Sequence, residues 1–211
     1  MQTPLTIEIA SDVICPWCYI GKRRLEKALA LLDGEVKPVI RWLPFQLNPD
    51  MPASGMPRAE YRKRKFGSLE RGRELDARVA AEGAKEGIAF AFDRMQRTPN
   101  TSRAHQLIDL AQKQGHAQPV VDALFRAYFE EAKNIGDAAV LEEIARANGV
   151  SGWPGQANAT SVAEKEEGVR SLGISAVPTF IIDRKFGVSG AYPPAELASA
   201  IRQALNSGSE P

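Results

Sequence analysis

The chain has 211 residues, 44% of them hydrophobic, with 27 basic against 26 acidic side chains and a formal net charge of +1. That length buries a sizeable core, the balanced charge excludes whole-chain attraction to a polyanion or a membrane surface, and no apolar run is long enough to span a bilayer. The start, MQTPLTIEIA, has neither the positive segment nor the uninterrupted apolar stretch of a secretory signal; that leaves a cytoplasmic protein or a mature form whose signal has been removed, and Met1 favours the first, so a cytoplasmic protein is expected.

In chain order, Leu5, Ile7 and Ile9 alternate with polar residues and predict a strand. A helix follows from Pro16, whose missing N–H suits the first helical position, and Gly34 supplies its stop. Val36 to Phe45 predicts a second strand, with Pro38 and Pro44 confining its regular part to the middle. Strand, helix, strand over this span is a βαβ unit with parallel strands. From about residue 57 to 173 the signals are almost all helical. Ala104, Leu107, Ile108 and Ala111 share one helical face, Val121 to Phe129 makes the next apolar stripe, and Asp137 caps a helix that ends at Asn148 and Gly149. A further helix is expected over about 156–172. TFIIDRKFGVSG predicts an antiparallel hairpin turning around Asp183 to Lys185, and Pro194 opens a last helix.

The fold class expected is therefore α/β: β-α-β, a large all-helical insertion, then β-β-α. Residues 1–47 and 174–206 form the α/β domain, 48–173 the helical insertion domain, and 207–211 a disordered tail.

Cys15 and Cys18, in CPWC, are the two cysteines of the chain. A close pair of this kind is a redox-active dithiol, half of a metal site, or two buried structural thiols. Cys15 falls at the start of the first helix, where free N–H groups and the positive dipole end favour thiolate, the attacking form. One turn on, Cys18 lies on the same face, within reach of a disulfide. Cys15 is then the exposed nucleophile and Cys18 the resolving thiol. Pro16 and Trp17 between them bring stiffness and apolar surface but no charge, which implies a milder oxidant than a pair enclosing a histidine. A metal site would have to recruit His105 and His116, eleven residues apart, well outside the usual spacing of three to five, so no metal is expected.

The strings SDVICPWCYIGKRRLE, FQLNPDMPASG, EYRKRKFG, NTSRAHQLI, LFRAYFEEAKNIGD and GISAVPTFIID together resemble the DsbA-like thioredoxin family, over nearly the whole chain. Within it they are most similar to the FrnE-type branch of cytoplasmic dithiol oxidoreductases. The resemblance implies a thioredoxin fold carrying the helical insertion, and disulfide oxidoreductase or isomerase activity. It also implies Cys15 as nucleophile, Cys18 as resolver and Pro178 as a cis-proline facing the dithiol; Pro16, Trp17, Val177 and Pro178 are the residues expected to contact substrate. Kappa-class glutathione transferases and 2-hydroxychromene-2-carboxylate isomerases share this architecture but typically carry Ser where Cys15 stands. The intact pair argues for redox chemistry. Some FrnE-type proteins have a further cysteine pair near the C-terminus, which this chain lacks.

The expected enzyme is a protein dithiol–disulfide oxidoreductase acting on a disulfide-containing polypeptide or a low-molecular-weight thiol. The alternative is a glutathione-dependent isomerase or transferase for a small aromatic or polyketide-like compound. No tightly bound cofactor, nucleic acid or membrane partner is expected. Glutathione is a candidate co-substrate in the groove between insertion and thioredoxin layer. Asp12, Asn100 and His105 are candidates to line that cleft, against the plainer reading of each as a satisfied polar group. Trp17 is expected in an apolar collar around the thiols, and Tyr19 there or in the core. The basic run in YRKRKFG reads as a solvated helix face, with attraction for an acidic small molecule as a lesser option.

Overall fold

The alternation at the start of the chain becomes β1 (Thr3–Ser11), with Leu5, Ile7 and Ile9 buried. The structure, a computed structural model, describes residues 3–207. Pro16 is the first residue of α1 (Pro16–Ala30), and Gly34, at φ +82°, helps the chain reverse into β2 (Val36–Pro44). β1 and β2 pair in parallel from Thr3 and Val36 to Ser11 and Pro44, which is the βαβ unit expected. Pairing runs through Pro38 rather than stopping at it. β2 is an edge strand, and an edge strand has one side on which a missing N–H costs no ladder bond.

Between β2 and the third strand of the sheet lie β3 (Met56–Pro57), α2 (Arg58–Phe66), α3 (Leu69–Lys85), β4 (Arg97–Thr98), α4 (Ser102–Lys113), α5 (Ala117–Phe129), α6 (Ala138–Ala147) and α7 (Ala159–Ser171). Side-chain caps fix several starts: Ser68 Oγ accepts from Arg71 N at 3.0 Å and Asp137 Oδ1 from Ala139 N at 2.8 Å. Asn158 caps Ser161 N at 2.9 Å, so α7 begins at Ala159, later than expected. The β3–β4 ladder pairs two residues with two, too few for any periodic signal in the sequence.

The hairpin is β5 (Thr179–Ile182) and β6 (Phe186–Ser189), with Asp183 and Arg184 at φ 47° and 58° in its turn. β5 pairs antiparallel with β1, giving the order β2-β1-β5-β6. α8 (Pro194–Ser207) packs against α1 and runs through Ser207, where a tail was expected; residues 208–211 lie outside the described residues. Leu5, Ile7 and Ile9 share the main core with Ile20, Leu25 and Ala28 of α1 and Leu197 and Ile201 of α8. Each large aliphatic side chain so buried contributes roughly 1.5–3 kcal/mol. Ala10 packs instead with Phe45 and Val169 in a smaller cluster.

A buried carboxylate fastens the segment after β2 to α7. Glu166 accepts from Gln46 N and Gln46 Nε2, both at 2.8 Å, and from Arg170 at 2.7 Å. Burial works against its charge, but the Gln46 and Arg170 hydrogen bonds prevail and hold Glu166 below its ordinary value. A depressed carboxyl stabilises the fold above its unfolded pKa, and that contribution is lost as pH falls through the folded pKa. Glu166→Gln is expected to cost about 1–3 kcal/mol at neutral pH. The gap from the parent protein should shrink below about pH 4. Urea denaturation at neutral and acidic pH measures both; a gap that persists in acid contradicts the assignment.

Candidate active site

Cys15 is the N-cap of α1, in extended backbone (φ −89°, ψ 112°), with Pro16 and Trp17 as the first two helical residues and Cys18 the third. The chain enters the helix through a tight turn, Cys15 N–H donating to Asp12 O at 3.0 Å. No side chain caps this start, so the helix's first N–H groups and its positive end are directed at the dithiol. Both cysteines are free thiols. Cys15 is less open than expected, at 5% exposure, yet it is the more accessible of the two: it lines a cavity that Cys18, at 1%, does not. Burial, then the Cys15 thiol beside it, push the Cys18 thiol well above its ordinary value, while the Ser11 hydroxyl and the Asp12 backbone pull against them.

Across from the dithiol, the Val177–Pro178 peptide is cis, as is Trp153–Pro154 elsewhere. Cys15 Sγ lies 3.7 Å from Val177 O, so the structure brings Cys15 and the proline loop together. Gly21 makes this approach feasible. A Cβ there would come 2.9 Å from Pro178 Cγ and 3.3 Å from Phe180 Cζ. On the other side of α1, Tyr19 is core and not collar: its ring stacks on Phe125 at 4.9 Å and its hydroxyl donates to Glu130 at 2.5 Å. Burial and that hydrogen bond push its phenol up to about 12. Trp17 is 39% exposed and lines the cavity, as expected of a collar residue.

The cavity has a volume of about 410 Å³. Its wall opposite Cys15 comes from α2 and α3; of the basic run Arg62 is turned inward, while Lys63, Arg64 and Lys65 are exposed, as expected of a solvated face. Arg58, Arg62, Lys65 and Arg78 line the cavity against a single carboxylate, Asp76. Arg58 and Arg62 bond Asp76 at 2.9 and 2.7 Å, and their guanidinium groups lie 5.2 Å from the Phe92 ring centre and 4.4 Å from that of Phe66. Burial pushes the Asp76 carboxyl up against the pull of both arginines, and pushes Arg62 down. A second cavity of about 430 Å³ shares Leu47, Tyr61 and Lys65 with the first.

Asp12, Asn100 and His105 do not line this cavity. Asp12 is fully buried beneath the thiols; its Oδ2 accepts from Leu47 N at 2.8 Å and its Oδ1 lies 3.2 Å from His105 Nε2. Asn100 donates to Met51 O at 2.7 Å and accepts from Ser102 N at 2.9 Å, building the turn into α4. Among the described residues no group of three or more His, Cys, Asp or Glu is placed to hold a metal ion. None of the described helices is long and apolar enough to cross a membrane.

A thioredoxin-type sheet with a dithiol at the start of α1 defines a class, and comparison with known proteins gives the family. The chain matches the DSBA-like thioredoxin domain over residues 6–202 and belongs to that family. It is 30% identical to the probable DsbA oxidoreductase SCO1869 of Streptomyces coelicolor, with a TM-score of 0.88 over 98% of this chain and 92% of that one. The uncharacterized protein YwbO of Bacillus subtilis is 26% identical over 183 residues, 83% of this chain and 86% of YwbO. The cytosolic disulfide reductase DsbM of Pseudomonas aeruginosa, in a structure with GSH, shares the fold at a TM-score of 0.63 and 18% identity, over 95% of this chain and 99% of that one.

The close packing at Gly21 is testable. Overpacking costs about 1–3 kcal/mol and alanine's better helix propensity returns about 0.5–1, so Gly21→Ala should lower stability by roughly 1 kcal/mol. A urea midpoint equal to or above the parent's contradicts the contact.

Proposed function

We propose that the protein is a dithiol–disulfide oxidoreductase in which Cys15 attacks a substrate disulfide and Cys18 resolves the mixed disulfide. The observation that carries this reading is Cys15 at the N-cap of α1, opening on a cavity and 3.7 Å from the Val177 carbonyl. The thiolate of Cys15 displaces one substrate sulfur; Cys18 then displaces the other, leaving a Cys15–Cys18 disulfide and a reduced substrate. The reverse sequence oxidises a dithiol. Pro16 and Trp17 offer the apolar rim, and Val177 and Pro178 flank the attacking sulfur as a strand-like docking edge. That use of Pro178, and a cytoplasmic setting of the FrnE type, follow the family resemblance. Insulin reduction tests the core of it. Cys15→Ser should abolish turnover, whereas Cys18→Ser should accumulate mixed disulfides; full activity in Cys15→Ser overturns the mechanism.

The basic wall favours a net-negative low-molecular-weight partner, and glutathione is the co-substrate we propose. Four cations against one carboxylate attract such a ligand. The double variant Lys65→Gln and Arg78→Gln is expected to lower kcat/KM for glutathione disulfide about tenfold at low salt while sparing uncharged hydroxyethyl disulfide. Equal losses on both substrates contradict an electrostatic role. The cavity's volume, about 410 Å³, also admits a small aromatic substrate. A glutathione-dependent isomerase or transferase is therefore the second reading, marked by turnover that survives Cys18→Ser.

A further inference from the structure

Arg24 of α1 is a charged side chain only 8% exposed, and its guanidinium binds in three places at once. Nε donates to Glu86 Oε1 at 2.7 Å, Nη2 to Glu82 Oε2 at 2.7 Å and Nη1 to Ala191 O at 2.6 Å. Glu82 is in the last turn of α3 and Glu86 caps its end. Ala191 lies between β6 and α8. The rigid fork of a guanidinium fixes such an arrangement in one geometry, which the single point of an ammonium does not. Lys27 and Lys85 reach the same two carboxylates at 2.7 and 2.5 Å, but from exposed positions where an ion pair contributes little.

Both elements fastened to Arg24 are walls of the site, although Arg24 itself does not line the cavity. α3 carries Leu75, Asp76, Arg78 and Val79 into the lining beside Cys15. The segment at Ala191 leads to the proline loop, because Gly190 N–H donates to Pro178 O at 2.8 Å. Gly21 of the same helix passes that segment closely: a Cβ there would lie 3.5 Å from Ala191 Cβ as well as 2.9 Å from Pro178 Cγ. One residue before Pro178, the Val177 carbonyl is 3.7 Å from Cys15 Sγ. A continuous path of covalent and hydrogen bonds therefore runs from Arg24 through Ala191, Gly190 and Pro178 to the carbonyl beside the attacking sulfur. The same helix holds both ends of that path, with Cys15 at its start and Arg24 further along.

We propose that Arg24 is a positioning residue that sets the proline loop against Cys15, and so governs turnover of disulfides carried on polypeptides. The inference rests on the dithiol reading above. An extended polypeptide that pairs with the Val177 edge needs that edge and the sulfur in register. A misplacement of about 1 Å at a reacting centre can cost about a hundredfold in rate. A small uncharged disulfide meets Cys15 without using the edge, and is indifferent to the loop's setting.

Rapid-quench oxidation of the reduced protein, with the remaining thiols alkylated and counted, compares two disulfides of 2-mercaptoethanol. One is hydroxyethyl disulfide; the other joins 2-mercaptoethanol to the cysteine of a short unstructured peptide. In Arg24→Lys and Arg24→Gln the half-saturating concentration of the peptide disulfide should rise about fivefold or more, while the rate constant for hydroxyethyl disulfide stays within about twofold of the parent's. Thermal unfolding shows that each variant is folded at the assay temperature. Arg24→Lys keeps a charge between Glu82 and Glu86 and loses only the fork, so it decides alone if Arg24→Gln does not fold. A lowered unfolding temperature with an unchanged half-saturating concentration marks a merely structural role and overturns the inference, as does an equal loss on both disulfides. Oxidation that persists unaltered in Cys15→Ser overturns the dithiol reading itself.

Discussion

Asp12 has no exposed surface, and its carboxylate joins three parts of the chain. It follows β1, accepts from the Leu47 N–H beyond β2, and meets the His105 ring on α4. A charge so placed is tolerated only if every partner is present, because an uncompensated buried carboxylate costs several kcal/mol. The carbonyl of the same residue receives the Cys15 N–H, so the turn that aims the dithiol hangs from this junction. Leu47, positioned by the same bond, lines both the cavity beside Cys15 and the one adjoining it. The site therefore depends on a polar knot beneath it as much as on the helix that carries the cysteines.

Around that knot the two faces of the dithiol differ in character. Towards the cavity Cys15 shares its lining with guanidinium groups that lie over aromatic rings. Towards the sheet Cys18 is buried away from that cavity, and burial and the Cys15 thiol hold its own thiol well above its ordinary value. One thiol opens on a cavity and the other is closed off from it. The asymmetry follows from helix geometry: the N-cap residue projects past the helix end, while a residue in the first turn is covered by the sheet.

Much of the architecture was legible in the sequence because its elements carry local signals. The alternation in β1, the Pro16 start of α1, the Asp137 cap of α6 and the turn at Asp183 and Arg184 each reside in a few adjacent residues. β3 and β4 were not legible, since two-residue strands have no period. One member of the basic run, Arg62, departs from the solvated-face reading for a related reason. On α2 alone Arg62 belongs to a polar helix; only α3, bringing Asp76 and Gly72 beneath it, and the α1 start across from it turn that side chain inward.

By itself, the sequence determined that the chain holds a βαβ unit with a dithiol at a helix start, a helical stretch, and a hairpin behind Val177–Pro178. These depend on propensity, capping and spacing, which act over a turn or two. Which side chains face Cys15 and which lie beneath the thiols was decided only by tertiary structure. Asp12, Leu47 and His105 come from three separate parts of the chain, as do Arg58, Arg78 and Trp17, and no local rule relates them. Buried polar groups are placed by the partners that packing brings to them, and those partners are distant in the chain.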